Sequence, residues 1–383
     1  MGLLPAPRRA PVNRRRGVPR RNHARPPPST SALPASGVLI AGSVRAMAVT
    51  PGKATIRQVA ALAGVSHQTV SRVLNGHASI RPATRDRVLE AIEELDYRPN
   101  SAARALATSR TNRIGVIVDA AVEYGPNSTL RGLERAARAV GYSVTSATVG
   151  DDDPLGPSVA FEHLMSQGID ALCVIAPRSS SLDRLRRSSL HMPALVVKAA
   201  QDDTFLTVSV DQELGAALAV RHLIDLGHRR IAHVAGPLDW LDAAARHRAW
   251  RKEIKSAGLD ELDAVVGDWT AGFGYEVAHH PGRLPDCTAI FAANDQIALG
   301  LIHGFAERGI RVPDDVSIVG FDDLPESKHF LPPLTTVRQD FRALGERSVE
   351  VLRAALEGSG LDRRSIIAPL LIVRESTAPP RRS

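Results

Sequence analysis

The alternation of short apolar runs with helical segments from Ile114 to about residue 377 is the feature that most constrains the fold. Repeated strand-helix-strand units predict parallel sheets with helices on both faces. A stretch of this length is sufficient for two such sheets. The predicted strands are Ile114–Val118, Tyr142–Thr148, Ala171–Ile175, Ala194–Val197, Thr207–Val210, Arg230–Val234, Ala289–Ala292, Val316–Gly320 and a last strand at Ile366–Val373, with helices such as Leu130–Val140 and Gln212–Leu226 between them.

Polar residues follow several of these predicted strands. In open parallel sheets, ligands bind beyond the carboxyl ends of the strands. Asp119, Asn294 and Asp322 stand at such positions and are therefore candidates for ligand binding. A single Asp or Asn after a strand is more commonly a helix cap or a turn former. The sequence leaves both roles open for these three residues.

A different pattern precedes these units at residues 54–75, where ATIRQVAALAGVSHQTVSRVLN predicts two short helices joined by a glycine turn. Thr55 is suited to cap the first helix and Ser66 the second. Gly64 permits the left-handed backbone with which the first helix would end. The spacing predicts that Ile56, Val59, Ala60 and Ala63 are buried in the first helix, and Val70, Val73 and Leu74 in the second.

The second helix of the pair presents hydrogen-bonding side chains outward, of the kind that read base edges in a major groove. An ordinary helical hairpin with a solvated polar face is the alternative. The small Ala60 where the helices cross, and Gly64 four residues later, favour a helix-turn-helix. We therefore predict DNA binding. The predicted contact residues of this pair are Thr55, Ser66, His67, Gln68, Thr69, Ser71, Arg72 and Asn75.

A third predicted helix at Pro82–Leu95 would close a three-helix headpiece, since Pro82 suits a first helical turn. The sequence YRPN at residues 97–100 ends this helix, and the alanine-rich, basic segment SAARALATSRT follows. That segment is either a linker or a helix that folds only when docked, because so short a helix is marginal in isolation. The buried face predicted for the third helix is Val88, Leu89, Ile92 and Leu95.

The distribution of charge supports DNA binding by this part of the chain. The formal net charge is +7. Residues 1–53 carry ten Lys/Arg and no acidic residue, and residues 54–113 carry nine Lys/Arg and five acidic residues, so the remaining 270 residues carry a net charge of −7. Positive charge is thus concentrated around the predicted helix pair, whereas DNA would repel the acidic remainder.

Residues 1–53 form a basic, proline-rich extension that we predict to be disordered, because runs such as PRRAPVNRRRGVPRR cannot form a packed core. The extension is either a DNA-grasping arm or dispensable, and Met47 is a more ordinary start of translation. Arg20-Arg21, the apolar GVLIAGSV and the AMA at 46–48 also loosely imitate an export signal. Arg45 interrupts that signal beside its supposed cleavage site, which disfavours export.

Other functional classes receive little support. No apolar run approaches the roughly 18 residues of a membrane span. Cys173 and Cys287 lie far apart in apolar contexts, which predicts buried free thiols in a reducing, cytoplasmic environment rather than a disulfide framework. His279, His280 and the other histidines show no metal-ligand spacing, and no catalytic triad or glycine-rich phosphate loop is apparent. We predict no enzyme activity, no catalytic residue, no metal and no cofactor.

Several motifs make residues 55–377 resemble the lac-repressor family of bacterial transcription regulators. They are TIRQVAALAGVSHQTVSRVLN, YRPNSAARAL, HLIDLGHRRIAHVAGP, FAANDQIALG, VSIVGFDD and LPPLTTVRQDFRALG. GDW at residues 267–269 and LPPLTTVRQDF resemble one member more closely than the family at large. The resemblance implies an α-helical three-helix DNA-binding headpiece at 54–98 and a hinge helix with linker at 99–113. It further implies an α/β core at 114–377 of two subdomains with parallel sheets, like a periplasmic sugar-binding protein, and a tail at 378–383.

The resemblance also implies roles for individual residues. His67, Gln68 and Arg72 would contact bases in the major groove. Residues 100–107 would form the hinge helix, in which Leu106 is inserted between base pairs of the minor groove. An indole supplies a platform for a sugar face, and Arg, Asn and Asp suit adjacent hydroxyls. The implied hinge contacts with DNA are Asn100, Ala103 and Leu106, and the implied effector-binding residues are Arg246, Trp269, Asn294, Asp322 and Lys198.

Three departures from the family's pattern qualify these expectations. Lys198 follows PALVV where the member closest in motifs has an aspartate near its ligand, so the polar contacts on that wall differ. His67 replaces a tyrosine of that member's recognition helix, which puts the identity of the operator in doubt. The chain also lacks terminal heptad repeats, which implies a homodimer rather than a tetramer.

The resemblance therefore implies a cytoplasmic repressor that reads a palindromic operator and is released by a small sugar or glycoside, with a β-galactoside as the best guess. One alternative within the family is a regulator that needs its ligand in order to bind DNA. An exported sugar-binding protein is the alternative from another class, and the headpiece and hinge disfavour it.

Overall fold

The computed structural model describes residues 54–74, 76–77, 79–98, 110–119, 124–150, 156–175, 178–188, 190–198, 204–360, 362 and 364–381. The chain divides into two compact units, Met1–Tyr97 and Arg98–Ser383. Some predictions lie outside the described residues. They are the N-terminal extension, the DNA contact by Asn75, and the hinge helix with Asn100, Ala103 and Leu106.

The first unit contains the three predicted helices: α1 at Ile56–Leu62, α2 at His67–Leu74 and α3 at Pro82–Glu94. Gly64 has a φ of 63°, the left-handed conformation predicted for the turn after α1. The core of the unit is small and aliphatic, with three alanines and four valines. Its buried residues are Val59, Ala60, Ala63, Val70, Val73, Val88 and Ala91.

The predicted burial of Leu89 is wrong, since its side chain is 49% exposed. The inward face of α3 is centred on Val88 and Ala91, which are both buried. Ile92 and Leu95 lie beside this face and are partly buried, whereas Leu89 is rotated away from it. A short helix that packs through an alanine needs only a narrow apolar stripe, so the wider predicted stripe included one residue too many.

The second unit alternates strands and helices along the chain. In order, its described elements are β1 Arg113–Asp119, α4 Tyr124–Ala139, β2 Ser143–Val149, α5 Gly156–Ser166, β3 Ala171–Ile175, α6 Ser179–Arg187, β4 Ala194–Val197, β5 Leu206–Val210, α7 Gln212–Asp225, β6 Ile231–Ala235, α8 Leu241–Ser256, β7 Val265–Val266, α9 Ala271–His279, β8 Ala289–Ala292, α10 Asp295–Glu307, β9 Ser317–Asp322, a 3₁₀ turn at Ser327–His329, β10 Thr335–Arg338, α11 Phe341–Glu357, β11 Arg364–Ile367 and β12 Leu370–Ile372.

These strands form two sheets, each the centre of a subdomain. The amino-terminal sheet has the order β11-β5-β4-β3-β1-β2, and its strand pairs are parallel. The carboxy-terminal sheet has the order β12-β10-β9-β8-β6-β7 and is parallel except for β12, which is antiparallel to β10. Apolar clusters cover both faces of each sheet, which explains why several strands are unbroken apolar runs. The predicted parallel α/β architecture is confirmed.

The chain crosses between the subdomains three times. Helix α7 follows β5 of the amino-terminal sheet but packs in the carboxy-terminal core. Helix α11 follows β10 of the carboxy-terminal sheet but packs in the amino-terminal core. Finally, β11 pairs with β5 and β12 pairs with β10. Each subdomain is therefore completed by segments distant in sequence.

The prediction of a single last strand at Ile366–Val373 is wrong. The segment is divided at Ala368 and Pro369 into β11 and β12, which belong to different sheets. Proline has no N–H for a strand ladder and commonly marks such an interruption. Two further strands, β7 and β10, were not predicted because they are short and carry little apolar sequence signal.

Among the described residues, none of the helices has both the length and the apolar character needed to cross a membrane. Within the same residues, no group of three or more His, Cys, Asp or Glu is arranged to hold a metal ion. Cys173 is a buried free thiol in β3, and burial raises its pKa to about 12. The Cys287 thiol is also free and is partly buried.

Candidate ligand cleft and DNA-reading helix

Helix α2 presents the side chains predicted to read DNA on its solvent-facing surface. His67, Gln68 and Arg72 are exposed, and Ser71 is half-buried beside them. Val70 and Val73 on the opposite face are buried, so the helix has the required division between core and surface. This surface offers donors and acceptors in the arrangement that a major-groove helix needs.

The remaining predicted contacts of the headpiece also act as helix caps. The Thr55 hydroxyl accepts a hydrogen bond from the backbone N–H of Gln58, and the Gln58 side chain accepts one from the Thr55 N–H at 2.8 Å. The Ser66 hydroxyl accepts a bond from the Thr69 N–H at 3.1 Å and pairs with the Thr69 hydroxyl at 3.0 Å. These caps fix the start of α1 and of α2.

A cavity lies between the two subdomains at the carboxyl ends of their strands, where a doubly wound sheet is expected to bind a ligand. Its empty volume is about 640 Å³, which includes the part of the cavity that is open to solvent. It brings together all five predicted effector-binding residues. These are Lys198, Arg246, Trp269, Asn294 and Asp322.

The two walls of this cleft differ in chemistry. The amino-terminal wall is largely apolar and includes an edge-to-face pair of Tyr124 and Phe341, whose ring centroids are 5.7 Å apart. Lys198, which is only 3% exposed, adds a cation at the end of β4. The carboxy-terminal wall carries most of the polar groups and two indoles. Its lining residues are Trp240, Asp242, Arg246, Trp269, Asn294, Gln296 and Asp322.

A closed ring of polar side chains joins the carboxy-terminal wall to two of the chain crossings. The Arg246 Nε donates to Gln212 Oε1 at 2.8 Å, and Gln212 Nε2 donates to Gln339 Oε1 at 2.7 Å. Gln339 Nε2 donates to Asp322 Oδ1 at 2.6 Å, and Arg246 Nη2 lies 3.6 Å from the same oxygen. Gln212 begins α7 and Gln339 precedes α11. The groups facing the cleft are therefore bonded directly to the segments that connect the subdomains.

The charges in this ring are buried and mutually supported. The Arg246 guanidinium lies 3.8 Å above the centroid of the Phe321 ring and also donates to the Ala293 carbonyl. Burial lowers the pKa of Arg246, and Asp322 opposes that change. Burial raises the pKa of Asp322 to about 6, although Arg246 and Gln339 favour its ionised form. A buried guanidinium beside a carboxylate offers paired donors and acceptors to adjacent hydroxyl groups.

Asn294 caps a helix and also lies in the lining of the cleft. Its Oδ1 caps α10 by accepting a bond from the Ile297 N–H at 2.8 Å. Its Nδ2 donates to the Trp269 carbonyl at 3.0 Å and to Gln296 Oε1 at 3.0 Å. The asparagine lies in the cleft lining, so the same side chain that starts a helix also fixes the indole-bearing segment.

Asp119 does not line the cleft. Its Oδ2 accepts bonds from the Arg178 N–H at 3.1 Å and from the Ser181 hydroxyl at 2.7 Å, which fixes the start of α6. Arg178 in turn reaches the other subdomain, where its guanidinium lies 5.3 Å from the centroid of the Trp240 ring. Asp119 is thus a turn and cap residue that supports a contact between the subdomains.

Asp322 reaches the cleft from a strained backbone. Its φ is 106°, and the next residue, Asp323, has a φ of 54°. Left-handed backbone at a residue other than glycine costs of order 1–3 kcal/mol and is retained only where the surroundings enforce it. The Asp323 carboxylate accepts bonds from Arg338 Nε and Arg374 Nη2, both at 2.6 Å.

Sequence reasoning missed several lining residues. Gln212 lies two residues after the end of β5, so the rule that identified Asp322 applies to it as well. Gln339 follows β10, a strand that was not predicted. Trp240 and Asp242 follow β6 in the segment GPLDWLD, which carries no local signal for a ligand. Tyr124 and Phe341 begin helices, where an aromatic residue gives no indication of a cleft.

Comparison with known proteins assigns both units. Residues 55–100 match the lacI family of bacterial regulatory proteins, and residues 220–377 match a periplasmic binding protein-like domain. A helix-turn-helix together with a two-subdomain core of this kind defines a DNA-binding transcriptional regulator.

Similarity over most of the chain identifies the family. The chain is 33% identical over 330 residues to the lactose operon repressor of Escherichia coli strain K12, which covers 85% of this chain and 91% of that protein. It is 33% identical over 333 residues to the ribose operon repressor of the same strain, covering 84% and 99%. The crystal structure of the lac repressor dimer bound to operator and the anti-inducer ONPF superposes with a TM-score of 0.76 at 32% identity, covering 85% of this chain and all of that one. The chain belongs to the lacI family.

Proposed function

We propose that this repressor is released from its operator by a small sugar or glycoside bound in the cleft between the core subdomains. The observation that carries the proposal is the buried ring of Arg246, Gln212, Gln339 and Asp322 beside the indole of Trp269. Such a ring has already lost its water, so it favours a ligand whose hydroxyls match its donors and acceptors.

A glycoside fits the difference between the walls better than a fully hydroxylated free sugar does. Hydroxyls can pair with Arg246, Asn294 and Asp322 on the carboxy-terminal wall, while a less polar group lies against Tyr124 and Phe341. A β-galactoside is our first choice, since the E. coli lactose operon repressor is among the relatives. The ribose operon repressor has the same 33% sequence identity to this chain, so the proposal extends to other sugars.

The proposed coupling runs from the cleft through the amino-terminal subdomain to the linker. A ligand that bonds to the ring acts on two chain crossings and so biases the arrangement of the subdomains. The start of the core is attached firmly: the N–H groups of Thr111 and Asn112 donate to the Asp170 carboxylate at 2.9 and 2.8 Å. A rotation of the subdomain would therefore be passed through the linker to the proposed hinge helix at residues 100–107. Coupling of this kind is typically about 1–3 kcal/mol.

The proposed assembly is a cytoplasmic homodimer whose two headpieces, at residues 54–98, read the half-sites of a palindromic operator. In it, Leu106 of each hinge helix is inserted between base pairs and bends the DNA. The effector core spans residues 114–377. The crystal structure of the lac repressor dimer bound to operator supports binding of the proposed dimer to an operator by similarity. We propose no enzymatic activity for the chain.

The test is a titration of the purified protein on the DNA upstream of its own gene, followed by fluorescence anisotropy. Lactose, o-nitrophenyl β-galactoside, cellobiose and ribose form the panel, and sucrose at the same osmolarity is the control. We expect at least one panel member to weaken binding to DNA. A compound that strengthens binding identifies a co-repressor, and no change with any compound refutes control by these sugars. If the protein ignores DNA but binds a panel sugar, an exported sugar-binding role replaces the proposal.

A further inference from the structure

A pair of consecutive left-handed aspartates forms the turn that ends β9. Asp322 has a φ of 106° and Asp323 a φ of 54°. Asp322 lines the cleft and is 7% exposed, whereas the Asp323 carboxylate is bonded to arginines outside the cleft lining. Leu324, the residue after Asp323, is anchored to Asp295, so a change of backbone conformation at Asp323 has to be taken up in part at Asp322, whose side chain would then turn.

Two arginines from outside the cleft lining hold Asp323. Arg338 Nε donates to one carboxylate oxygen and Arg374 Nη2 to the other, each at 2.6 Å. The Arg338 side chain is 50% exposed, whereas the Arg374 side chain is 15% exposed. The more buried arginine is the stronger constraint, because an exposed side chain keeps much of its freedom and is screened by water.

Arg374 is itself fixed at several points. Its Nη1 donates to the Leu334 carbonyl at 2.7 Å, and its backbone N–H donates to the Thr335 hydroxyl at 2.9 Å. The guanidinium therefore spans from the loop before β10 to the turn after β9, a geometry that the planar fork of arginine permits and a lysine does not. The carboxy-terminal segment thus reaches a turn that is distant in sequence.

The far side of the turn is anchored separately. The Leu324 N–H donates to the Asp295 carboxylate at 2.8 Å, and the hydroxyls of Ser327 and Thr336 donate to the same buried carboxylate. Leu324 is thereby fixed without Arg374. What Arg374 adds is the constraint at Asp323, the residue between this anchor and the cleft.

We infer that Arg374 is a positioning residue: by holding Asp323 in the left-handed conformation, it directs the Asp322 carboxylate into the cleft. The functional importance of this position rests on the proposed function, but the positioning itself does not. The inference makes the carboxy-terminal segment part of the cleft's architecture although Arg374 is not among the residues that line it.

The test compares Arg374→Ala with the double variant Arg374→Ala/Asp323→Gly and with the control Arg381→Ala. Glycine adopts a positive φ without strain, so it removes the need for a clamp. Arg381 is a matched control because it also lies in the carboxy-terminal segment and pairs with aspartates, Asp314 and Asp315, away from the cleft. Amide hydrogen exchange over residues 321–326 is the first readout and requires no ligand.

We expect Arg374→Ala to accelerate exchange in this segment about tenfold, while exchange in β1 stays unchanged. We expect the added glycine to bring the rate within about threefold of the wild type, and Arg381→Ala to have no effect. Arg374→Ala/Asp323→Ala removes the same buried carboxylate without the freedom of glycine at positive φ, so equal rescue by alanine and by glycine would assign the effect to an unpaired charge and overturn the inference. Unchanged exchange in Arg374→Ala, or a double variant no better than the single one, overturns the inference. Should Arg374→Ala fail to fold, Arg374→Lys provides the same comparison.

The second readout is the concentration of o-nitrophenyl β-galactoside, lactose, cellobiose or ribose needed for half-release of DNA. We expect it to rise about tenfold in Arg374→Ala and to recover in the double variant. If none of the four compounds affects the wild type, the proposed function fails, while the exchange data still decide the positioning role. If the wild type responds and Arg374→Ala responds equally, the positioning role fails and the proposed function stands.

Discussion

Helix α2 and the cleft handle polar groups in opposite ways. On α2, His67, Gln68 and Arg72 face water. In the cleft, Arg246 and Asp322 are nearly inaccessible and are bonded into a closed ring. A surface that reads DNA can exchange water for phosphate and base contacts one at a time, and each contact contributes a modest share. A buried ring is a single cooperative unit, so the loss of any member leaves its partners unpaired. Changes in the cleft should therefore be severe, and changes on α2 graded.

The largest effect should come from Arg246→Ala. Removing one member of a buried ion pair costs about 3–5 kcal/mol, because Asp322 keeps a buried charge without its partner. We expect a lower midpoint of urea unfolding and a loss of sugar-induced release of more than about 100-fold, measured by anisotropy on operator DNA. Arg248→Ala is the matched control, since Arg248 lies on the same helix and makes an exposed pair with Glu213. If both variants lower the urea midpoint and the sugar response equally, the buried ring is no more sensitive to substitution than an exposed ion pair.

Arg72→Ala should have the next largest effect, and only on binding. A base contact by arginine is worth about 1–3 kcal/mol, so operator affinity should fall roughly 5- to 150-fold. Stability should stay within about 0.5 kcal/mol, because the side chain is exposed. The comparison of operator with scrambled DNA distinguishes base reading from phosphate contact: Arg72→Ala should narrow that ratio, and the exposed Arg87→Ala should leave it unchanged. An unchanged ratio in both would contradict the role of Arg72.

The cleft should respond to acidity through Asp322. The pKa of Asp322 is raised by burial to about 6, above the 3.8 of the free side chain. As pH falls through 6, the folded protein takes up a proton that the unfolded chain does not yet hold. Protonation of this group therefore raises the free energy of unfolding as the pH falls from about 6 to about 4. The protonated group no longer accepts as a carboxylate, so sugar sensitivity at pH 5 should be about tenfold lower than at pH 7.5. Asp322→Asn should remove this pH dependence. A wild type that responds equally at both pH values would refute the need for an ionised Asp322.

The smallest effect should come from Ser66→Ala. Loss of a helix cap costs about 1 kcal/mol, so the headpiece should melt a few degrees earlier. Because Ser66 starts α2, operator affinity should fall only a fewfold, and Ser66→Asp should restore the melting temperature by capping the helix again. Calorimetry of the full-length protein reports this transition. A melting temperature that Asp does not restore would show that the hydroxyl acts in another way.

The two regions also differ in how much of them a sequence discloses. The helices of the headpiece follow from caps, a glycine and the spacing of valines, all within about 20 residues. Leu89 shows the remaining error, because the width of a buried stripe depends on what packs against it. In the core, strand ends led to Asn294 and Asp322 through a rule of topology. Gln212 and Gln339 were missed because their pairing depends on chain crossings that no local pattern records.

The crossings also govern the division of the final strand. A continuous apolar run at Ile366–Val373 predicts one strand, since composition does not reveal which sheet has a free edge. Resemblance to the family supplied Arg246, Trp269 and Lys198, which spacing alone did not. Neither the strand ends nor the resemblance to the family identified Trp240 and Asp242.

The interleaving of the subdomains has a consequence for how the protein is made. The amino-terminal sheet takes its edge strand β11 and helix α11 from the end of the chain. On the ribosome, that sheet must therefore wait until nearly the whole polypeptide has emerged, whereas the headpiece is complete after residue 97. A nascent chain would therefore hold a complete headpiece well before the subdomain next to it in sequence has all of its strands and helices.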